Sequence, residues 1–267
     1  MVCHIGVLGA NGRMGQELIK AICEDNQTLL KSALVRQGHD LDGKNLGILT
    51  PLCADLTYES DVSKAFEKSD VILDFTLPKA TGAFLEKALE RQTPLVIGTT
   101  GLSPEDHVLM EKVARTVPVV YGTNMSLGIT VLNALVEQTA TFLGEDFDIE
   151  ILEMHHRHKK DAPSGTALTL GDFAARGRGV PFESVASFER HGEAQQARKK
   201  GDIGFATLQG GGVAGDHSVL FASEDEVLTL SHRALNRSVF AKGAVRAAKW
   251  VVTQEPGLYN MRNVLGL

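Results

Sequence analysis

The first 120 residues alternate short apolar runs with amphipathic stretches, and no other feature limits the possible folds so tightly. Ile5 to Leu8, Leu29 to Val35, Val71 to Phe75, Leu95 to Ile97 and Val117 to Tyr121 read as strands. They are short and continuously apolar, as expected of parallel strands buried on both faces. Between them, Met14 to Cys23, Ala80 to Leu89 and Glu105 to Arg115 read as helices. Each gathers its apolar residues on one face; Leu18, Ile19 and Ile22 do so in the first. Ser103-Pro104-Glu105 is a helix start, with a capping side chain and proline at the first helical position. Strand and helix alternating at this spacing predict an α/β chain with a doubly wound parallel sheet.

From about residue 126 the pattern changes. Ile129 to Phe142 reads as one long helix, Phe147 to Met154 as an alternating strand and Gly165 to Ala175 as a helix. Three β-like runs follow, Ile203 to Leu208, His217 to Ala222 and Val227 to His232. Their connectors, Gly210-Gly211-Gly212 and Glu224-Asp225-Glu226, predict antiparallel hairpins. Strands grouped in this way predict an inserted α+β domain. Residues 176–200, rich in Arg, Gly, Glu and Lys, read as a long mobile loop. Val239 to Val252 is helical again and returns to the first domain. The expected organisation is residues 1–125 plus 236–267, with 126–235 inserted between them.

Composition narrows the class. Of 267 residues, 43% are hydrophobic and 22% charged, which excludes a disordered or collagen-like chain. A net charge of -6 argues against a general nucleic-acid binder. No apolar run approaches the roughly 18 residues of a membrane span. Met1-Val2-Cys3-His4 carries no basic n-region or cleavage site, so a signal peptide is not expected. Cys3, Cys23 and Cys53 form no C-x-x-C pair. Odd in number, they suit a reducing cytosol and exclude a disulfide scaffold or a cysteine zinc site.

Gly9-Ala10-Asn11-Gly12-Arg13-Met14-Gly15 follows the first strand and opens a helix, the context that a dinucleotide fingerprint requires. Glycines there permit a tight turn and let backbone N–H groups approach a pyrophosphate at a helix N-terminus. A Gly-rich turn in a nucleotide-free α/β protein is the bland alternative. The second strand ends at Val35-Arg36. NAD-preferring proteins usually place a carboxylate here, about 20 residues past the glycines, to hold the ribose 2′-OH. With Val35 in that place and a guanidinium next to it, NADPH preference, or dual use with NADH, is the expectation. Arg36 as a plain solvated cation fits the sequence equally well. Gly98-Thr99-Thr100-Gly101 and Gly122-Thr123-Asn124-Met125 follow the fourth and fifth strands, at carboxyl ends where such sheets bind ligands. Each is a candidate lining for the nicotinamide ribose, or an ordinary turn.

His155-His156-Arg157-His158-Lys159-Lys160 crowds three histidines and three cations into six residues. A His-His-x-His metal site is disfavoured, because adjacent side chains on an extended chain point opposite ways; no metal is expected. A solvated basic loop is a second reading. The third is an anion-binding catalytic site, favoured by Pro163-Ser164-Gly165-Thr166 leading into a helix. Backbone N–H groups at Gly165 and Thr166 make a carboxylate cradle, histidine supplies a proton, and lysine supplies charge. Cations concentrated in an acidic protein point to a di- or polyanionic substrate.

The stretch from His155 through Lys159 and from Asp161 to Ala167 resembles the signature of the 4-hydroxy-tetrahydrodipicolinate reductases. Resemblance extends along the chain through Gly9 to Gly15, Gly98 to Gly101, Asn124-Met125-Ser126, Gly204 to Thr207, Gly215-Asp216-His217 and Gly257 to Arg262. It implies a Rossmann-like first domain and a second domain with an open mixed sheet, through which the chain forms a homotetramer. It also implies a cytoplasmic enzyme of diaminopimelate and lysine biosynthesis that reduces a small cyclic dicarboxylate with NADPH or NADH. By position, His155 would be the general acid and Lys159 a second proton donor or orienting cation. His156 would touch the substrate, and the Ser164-Gly165-Thr166 turn would hold a carboxylate. The resemblance puts Arg237 and Phe240 near the cofactor, although Phe240 reads as well as a core aromatic. Junctions near Asn124-Met125-Ser126 and Ala234-Leu235-Asn236 would be hinges whose closure excludes water. A two-domain amino-acid or aldehyde dehydrogenase, or a non-catalytic NADP(H)-binding regulator, are the alternative readings.

Overall fold

A computed structural model describes residues 2–188 and 197–267. Packing divides the chain into two compact units, Met1–Leu127 with Arg237–Leu267, and Gly128–Asn236. Chain order in the first stretch is β1 (Cys3–Leu8), α1 (Arg13–Glu24), β2 (Thr28–Leu34), α2 (Val62–Glu67), β3 (Val71–Asp74), α3 (Pro78–Arg91), β4 (Leu95–Ile97), α4 (Pro104–Val113) and β5 (Pro118–Tyr121). Then come α5 (Leu127–Leu143), β6 (Asp148–His155), α6 (Gly165–Gly177), α7 (Phe182–Val185), β7 (Ala186–Ser187), β8 (Ile203–Gln209), β9 (Gly215–Ala222) and β10 (Val227–Ala234). The chain closes with α8 (Ser238–Val251), β11 (Gly257–Tyr259) and α9 (Met261–Leu265). Among the described residues, no helix is long and apolar enough to cross a membrane.

The first unit is a Rossmann-like parallel sheet of six strands in the order β11-β5-β4-β3-β1-β2. Strand order reverses beside β1, which opens a crevice at the carboxyl ends of β1 and β3. One face buries Leu18, Ile19 and Ile22 of α1 together with Ala241, Ala244 and Ala248 of α8. Each fully buried Leu or Ile contributes about 1.5–3 kcal/mol. The alanines of α8 let it lie close, and Gly243 completes the fit, because a Cβ there would strike the Met125 carbonyl. The opposite face packs Phe66, Leu85, Met110 and Val113.

Cys23 and Cys53 are joined by a disulfide, with Cα atoms 6.5 Å apart, while Cys3 is buried and free. This corrects the expectation of unpaired thiols. The two cysteines lie 30 residues apart, one at the end of α1 and one in a short 3-10 turn, so no local spacing signals the bond.

The second unit is a five-stranded mixed sheet, β10-β9-β6-β8-β7. The expected hairpin between β8 and β9 does not form. β6 lies between them, parallel to β8 and antiparallel to β9, so the Gly210–Gly212 connector crosses over a strand. Of the two expected hairpins, the one between β9 and β10 forms. Residues Ile149, Ile151, Val219 and Phe221 face α5 and α6, burying Val136, Ala140, Leu170 and Ala174. The stretch 176–200 is also not one loop. It holds the end of α6, then α7 and β7, and Arg198 clamps Asp148, Glu150 and the carbonyls of Ile149 and Asp202. Its residues 189–196 lie outside those described.

Candidate active site

In the first unit, the crevice holds a cavity of about 710 Å³. Gly9, Asn11, Gly12, Val35 and Arg36 line it, so the structure brings these predicted residues together. Gly9 takes a left-handed φ of 70°, and Gly12 N–H closes the turn onto its carbonyl at 2.9 Å. At Gly15 a Cβ would lie 2.8 Å from Ala10 Cα and collide with the Gly9 carbonyl, so only glycine lets α1 start this close to the loop. Ala10 is fully buried, its N–H bonded to the Leu34 carbonyl. Met14 packs partly into the core.

This arrangement fits a dinucleotide. α1 has no side-chain cap at Gly12 and no acid in its first turn, whereas α4 has a capping box and two acids. An uncapped, acid-free N-terminus offers its N–H groups and positive dipole end to an anion. Arg13 begins α1, and Arg237 lies close enough that burial and the Arg13 cation together disfavour its charge. No carboxylate is found among the described residues lining the cavity, and Arg36 and Lys79 both line it.

Several lining residues carried no signal in the sequence: His39, Ser60, Phe75, Thr76, Leu77 and Lys79. His39 links the lining to the loop from Gly9. Its Nδ1 accepts from Leu41 N–H and its Nε2 meets the Asn11 amide at 3.1 Å. Asp74, fully buried at the end of β3, accepts from Thr76 N–H and from the hydroxyls of Thr76, Thr81 and Thr99. That carboxylate ties the Gly98-Thr99-Thr100 turn to the lining, and Thr99 Oγ1 also accepts from Thr76 N–H at 3.0 Å. Gly98 lies against the Phe75 ring, which any side chain there would displace. Gly122, Thr123, Asn124 and Met125 follow β5 outside this lining, with Met125 buried in the core. Arg237 and Phe240, at the start of α8, also lie outside it and are half-buried.

In the second unit, β6 ends at His155, which is 8% exposed. Glu153, two residues earlier and so on the same face of the strand, is 1% exposed. Its Oε1 accepts from Ser164 N–H at 2.7 Å and from the Thr207 hydroxyl at 3.0 Å. Its Oε2 faces His155 Nδ1 at 3.3 Å and His217 Nε2 at 3.5 Å. Neither contact is aligned as a hydrogen bond, and each becomes an ion pair only when its imidazole is protonated. Burial opposes ionisation of Glu153, but the approach of His217 and the hydrogen bonds from Ser164 and Thr207 outweigh it and hold the pKa down at about 2. His155 shifts down from its ordinary value, first through burial and then through His217, against the pull of Glu153.

Ser164 caps α6, accepting from Ala167 N–H at 3.2 Å and meeting His217 Nε2 at 3.2 Å. Gly165 and Thr166 are the first two residues of that helix, at its positive end. Around Gly165 the space is open, since a Cβ there meets nothing within 4 Å. Lys159 Nζ is held by both oxygens of Asp161, at 2.7 and 2.8 Å. His156 and His158 have ring centres 6.3 Å apart in the loop after β6. Glu153, His155 and His217 place ligand atoms within 4.8 Å of one another, which would also suit a small cation. The approach of both imidazoles to one carboxylate, and their edge-to-face contact, account for that closeness. The sequence assigns Glu153 and His217 no role, although His217 lies in the matching Gly215-Asp216-His217 segment and the alternation of β6 puts Glu153 beside His155.

Two family descriptions match the chain: "Dihydrodipicolinate reductase, N-terminus" over residues 3–125 and "Dihydrodipicolinate reductase, C-terminus" over 128–265. The chain is 50% identical over 262 residues to the 4-hydroxy-tetrahydrodipicolinate reductase of Afipia carboxidovorans, covering 98% of this chain and 96% of that one. It is 44% identical over 265 residues to the same-named protein of Geotalea daltonii, covering 98% of each. Among solved structures, a dipicolinate-bound dihydrodipicolinate reductase from Paenisporosarcina sp. TG-14 superposes with a TM-score of 0.73 at 24% identity, over 97% of this chain and 98% of that one. An amine dehydrogenase from Mycobacterium smegmatis shares the fold, with a TM-score of 0.68 at 14% identity, over 97% and 95% of the two chains.

Proposed function

Because the chain belongs to the dihydrodipicolinate reductase family, we propose that it reduces 4-hydroxy-tetrahydrodipicolinate to tetrahydrodipicolinate in the diaminopimelate route to lysine. One hydride and one proton enter the ring, and water leaves. The observation that carries the reading is His155, a buried histidine held by an ionised carboxylate in the same unit as the acid-free N-terminus of α6. Such a site supplies a proton and a carboxylate cradle together.

A reduced nicotinamide, when bound, supplies the hydride. Gly9, Asn11, Gly12 and Arg13 would hold its phosphates at the start of α1, with Thr99 and Thr76 ordering the neighbouring turn. His155 gives a proton from Nε2. Lys159, released from Asp161 by a substrate carboxylate, orients the dianion or serves as a second proton donor, to the departing hydroxyl as a ring C–H proton is lost. Gly165 and Thr166 hold the other carboxylate through backbone N–H groups, and His156 contacts the substrate. Arg36 and Lys79, with no carboxylate opposing them among the described lining residues, favour the 2′-phosphate of NADPH over NADH.

Two further parts of the reading rest on the resemblance. A homotetramer would form through the sheet of the second unit, whose face away from the helices exposes Leu152 and Leu208. The reaction would run in the cytoplasm, where reduced nicotinamide is supplied; the Cys23–Cys53 bond is at odds with a reducing compartment. The direct test adds purified chain to NADPH, or in parallel NADH, and the product of dihydrodipicolinate synthase and follows the loss of reduced-nicotinamide absorbance. No loss with either cofactor overturns the proposal.

A further inference from the structure

Strand register sets Thr207 of β8, Glu153 of β6, His217 of β9 and His232 of β10 side by side, one polar row on the helix-facing side of the sheet. An ionised carboxylate inside that row is costly unless it is paired. Packing alone does not call for it. A glutamine could accept the same bonds from Ser164 N–H and Thr207 through its amide oxygen. It could not present a negative oxygen to the two imidazoles facing Oε2.

We propose that Glu153 is the positioning residue of the proton donor: its Oε2 holds His155 with a proton on Nδ1, so that Nε2 is the nitrogen that delivers the proton. Gly215 keeps room beside that nitrogen, since a Cβ there would stand 3.2 Å from His155 Nε2. His217 braces the arrangement. It reaches Ser164 Oγ at 3.2 Å, and its ring meets that of His155 edge to face at 5.0 Å. When His155 carries both protons, Nε2 releases one and the neutral ring keeps Nδ1–H toward Glu153, which stays ionised throughout. Glu153 never touches the substrate.

The charges facing His155 are Glu153 and Asp161, which favour the imidazolium, and His217 and Lys159, which oppose it. Behind His217 stand His232 and Asp216. Replacing Glu153 by a neutral group therefore shifts His155 toward its neutral form at any given pH. That makes the role separable from simple structural support.

The reductase reading supplies the substrate for this inference, so turnover of the unaltered chain is measured first; its absence refutes that reading alone. In Glu153→Gln, kcat is expected to fall by about tenfold or more, while KM for both substrates stays within about threefold. The pH above which kcat declines should move down by about one unit. In parallel, 15N NMR of the unaltered chain, above the His155 titration, should show the ring proton on Nδ1. An unchanged kcat in Glu153→Gln overturns the proposal, as does a lower kcat with an unmoved pH profile. So does a neutral His155 protonated on Nε2, and that measurement decides alone where the variant does not fold.

Discussion

Gly15→Ala probes the start of α1 directly. Helix propensity by itself would favour alanine at this third helical position by about 1 kcal/mol. The structure predicts the opposite outcome. The new Cβ would lie 2.8 Å from Ala10 Cα and 2.9 Å from the Gly9 carbonyl carbon, and nearer still to its oxygen. Carbon atoms rest at about 3.5–4.0 Å, so α1 must retreat by roughly 1 Å from a backbone that cannot rotate away. Overpacking of this kind costs about 1–3 kcal/mol after relaxation. For a chain of this size that lowers Tm by about 3–10 °C. The same retreat withdraws the first-turn N–H groups from the phosphate position, which should weaken NADPH binding by about 10–100-fold. Calorimetry and a fluorescence titration with NADPH measure both. Gly12→Ala is the control: its Cβ meets the Gly9 carbonyl oxygen at 3.2 Å and no other atom within 4 Å, and residue 12 lines the cavity. Affinity should drop there while Tm stays within about 2 °C. A Gly15→Ala chain with unaltered Tm and unaltered affinity would refute the reasoning.

Other perturbations give distinct signatures. Arg36→Ala should lower the ratio of kcat/KM for NADPH over NADH by about tenfold or more, as expected from losing one charge-assisted contact; an unchanged ratio removes Arg36 from the 2′-phosphate site. His155→Gln should reduce kcat by about 10²–10⁴-fold with cofactor affinity intact, and a surviving kcat assigns the acid elsewhere. Acid stability follows from Glu153, whose folded pKa of about 2 lies below its ordinary 4.5. Its contribution, about 3 kcal/mol, is complete above the unfolded value and disappears as pH falls toward the folded one. His155, with its folded pKa also lowered, adds to the loss once pH drops below its ordinary 6.5, because the unfolded chain binds the proton more tightly. Urea unfolding at stepped pH measures this, and stability that stays level from about pH 5 to about pH 2 contradicts it.

Local chemistry made much of this molecule readable in advance. The strands of the first unit are continuous apolar runs, and the loop from Gly9 to Gly15 declares itself by spacing and by the strand before it. His155 and the turn at Ser164 stand out by charge and by helix-start chemistry. What escaped depends on distant partners. β8 alternates like any hairpin strand, and only its parallel pairing with β6 decides its place. β11 is three residues long and gains its identity from β5. Asp74 ends an apolar run, and its importance comes from three threonines contributed by other segments and its own loop. His217 comes 64 positions after Glu153 in the chain yet pairs with it directly across the sheet. The Cys23–Cys53 bond is of the same kind, invisible to spacing.

The central claim is that His155 and its buried carboxylate serve the reduction of a cyclic dicarboxylate by a nicotinamide held at the loop from Gly9 to Gly15. Turnover with 4-hydroxy-tetrahydrodipicolinate, generated in place and supplied with NADPH or NADH in turn, tests it most directly. The account predicts loss of reduced nicotinamide that depends on both substrate and enzyme, faster with NADPH, and largely abolished in His155→Gln. No substrate-dependent oxidation of either cofactor by the folded, unaltered chain would contradict it.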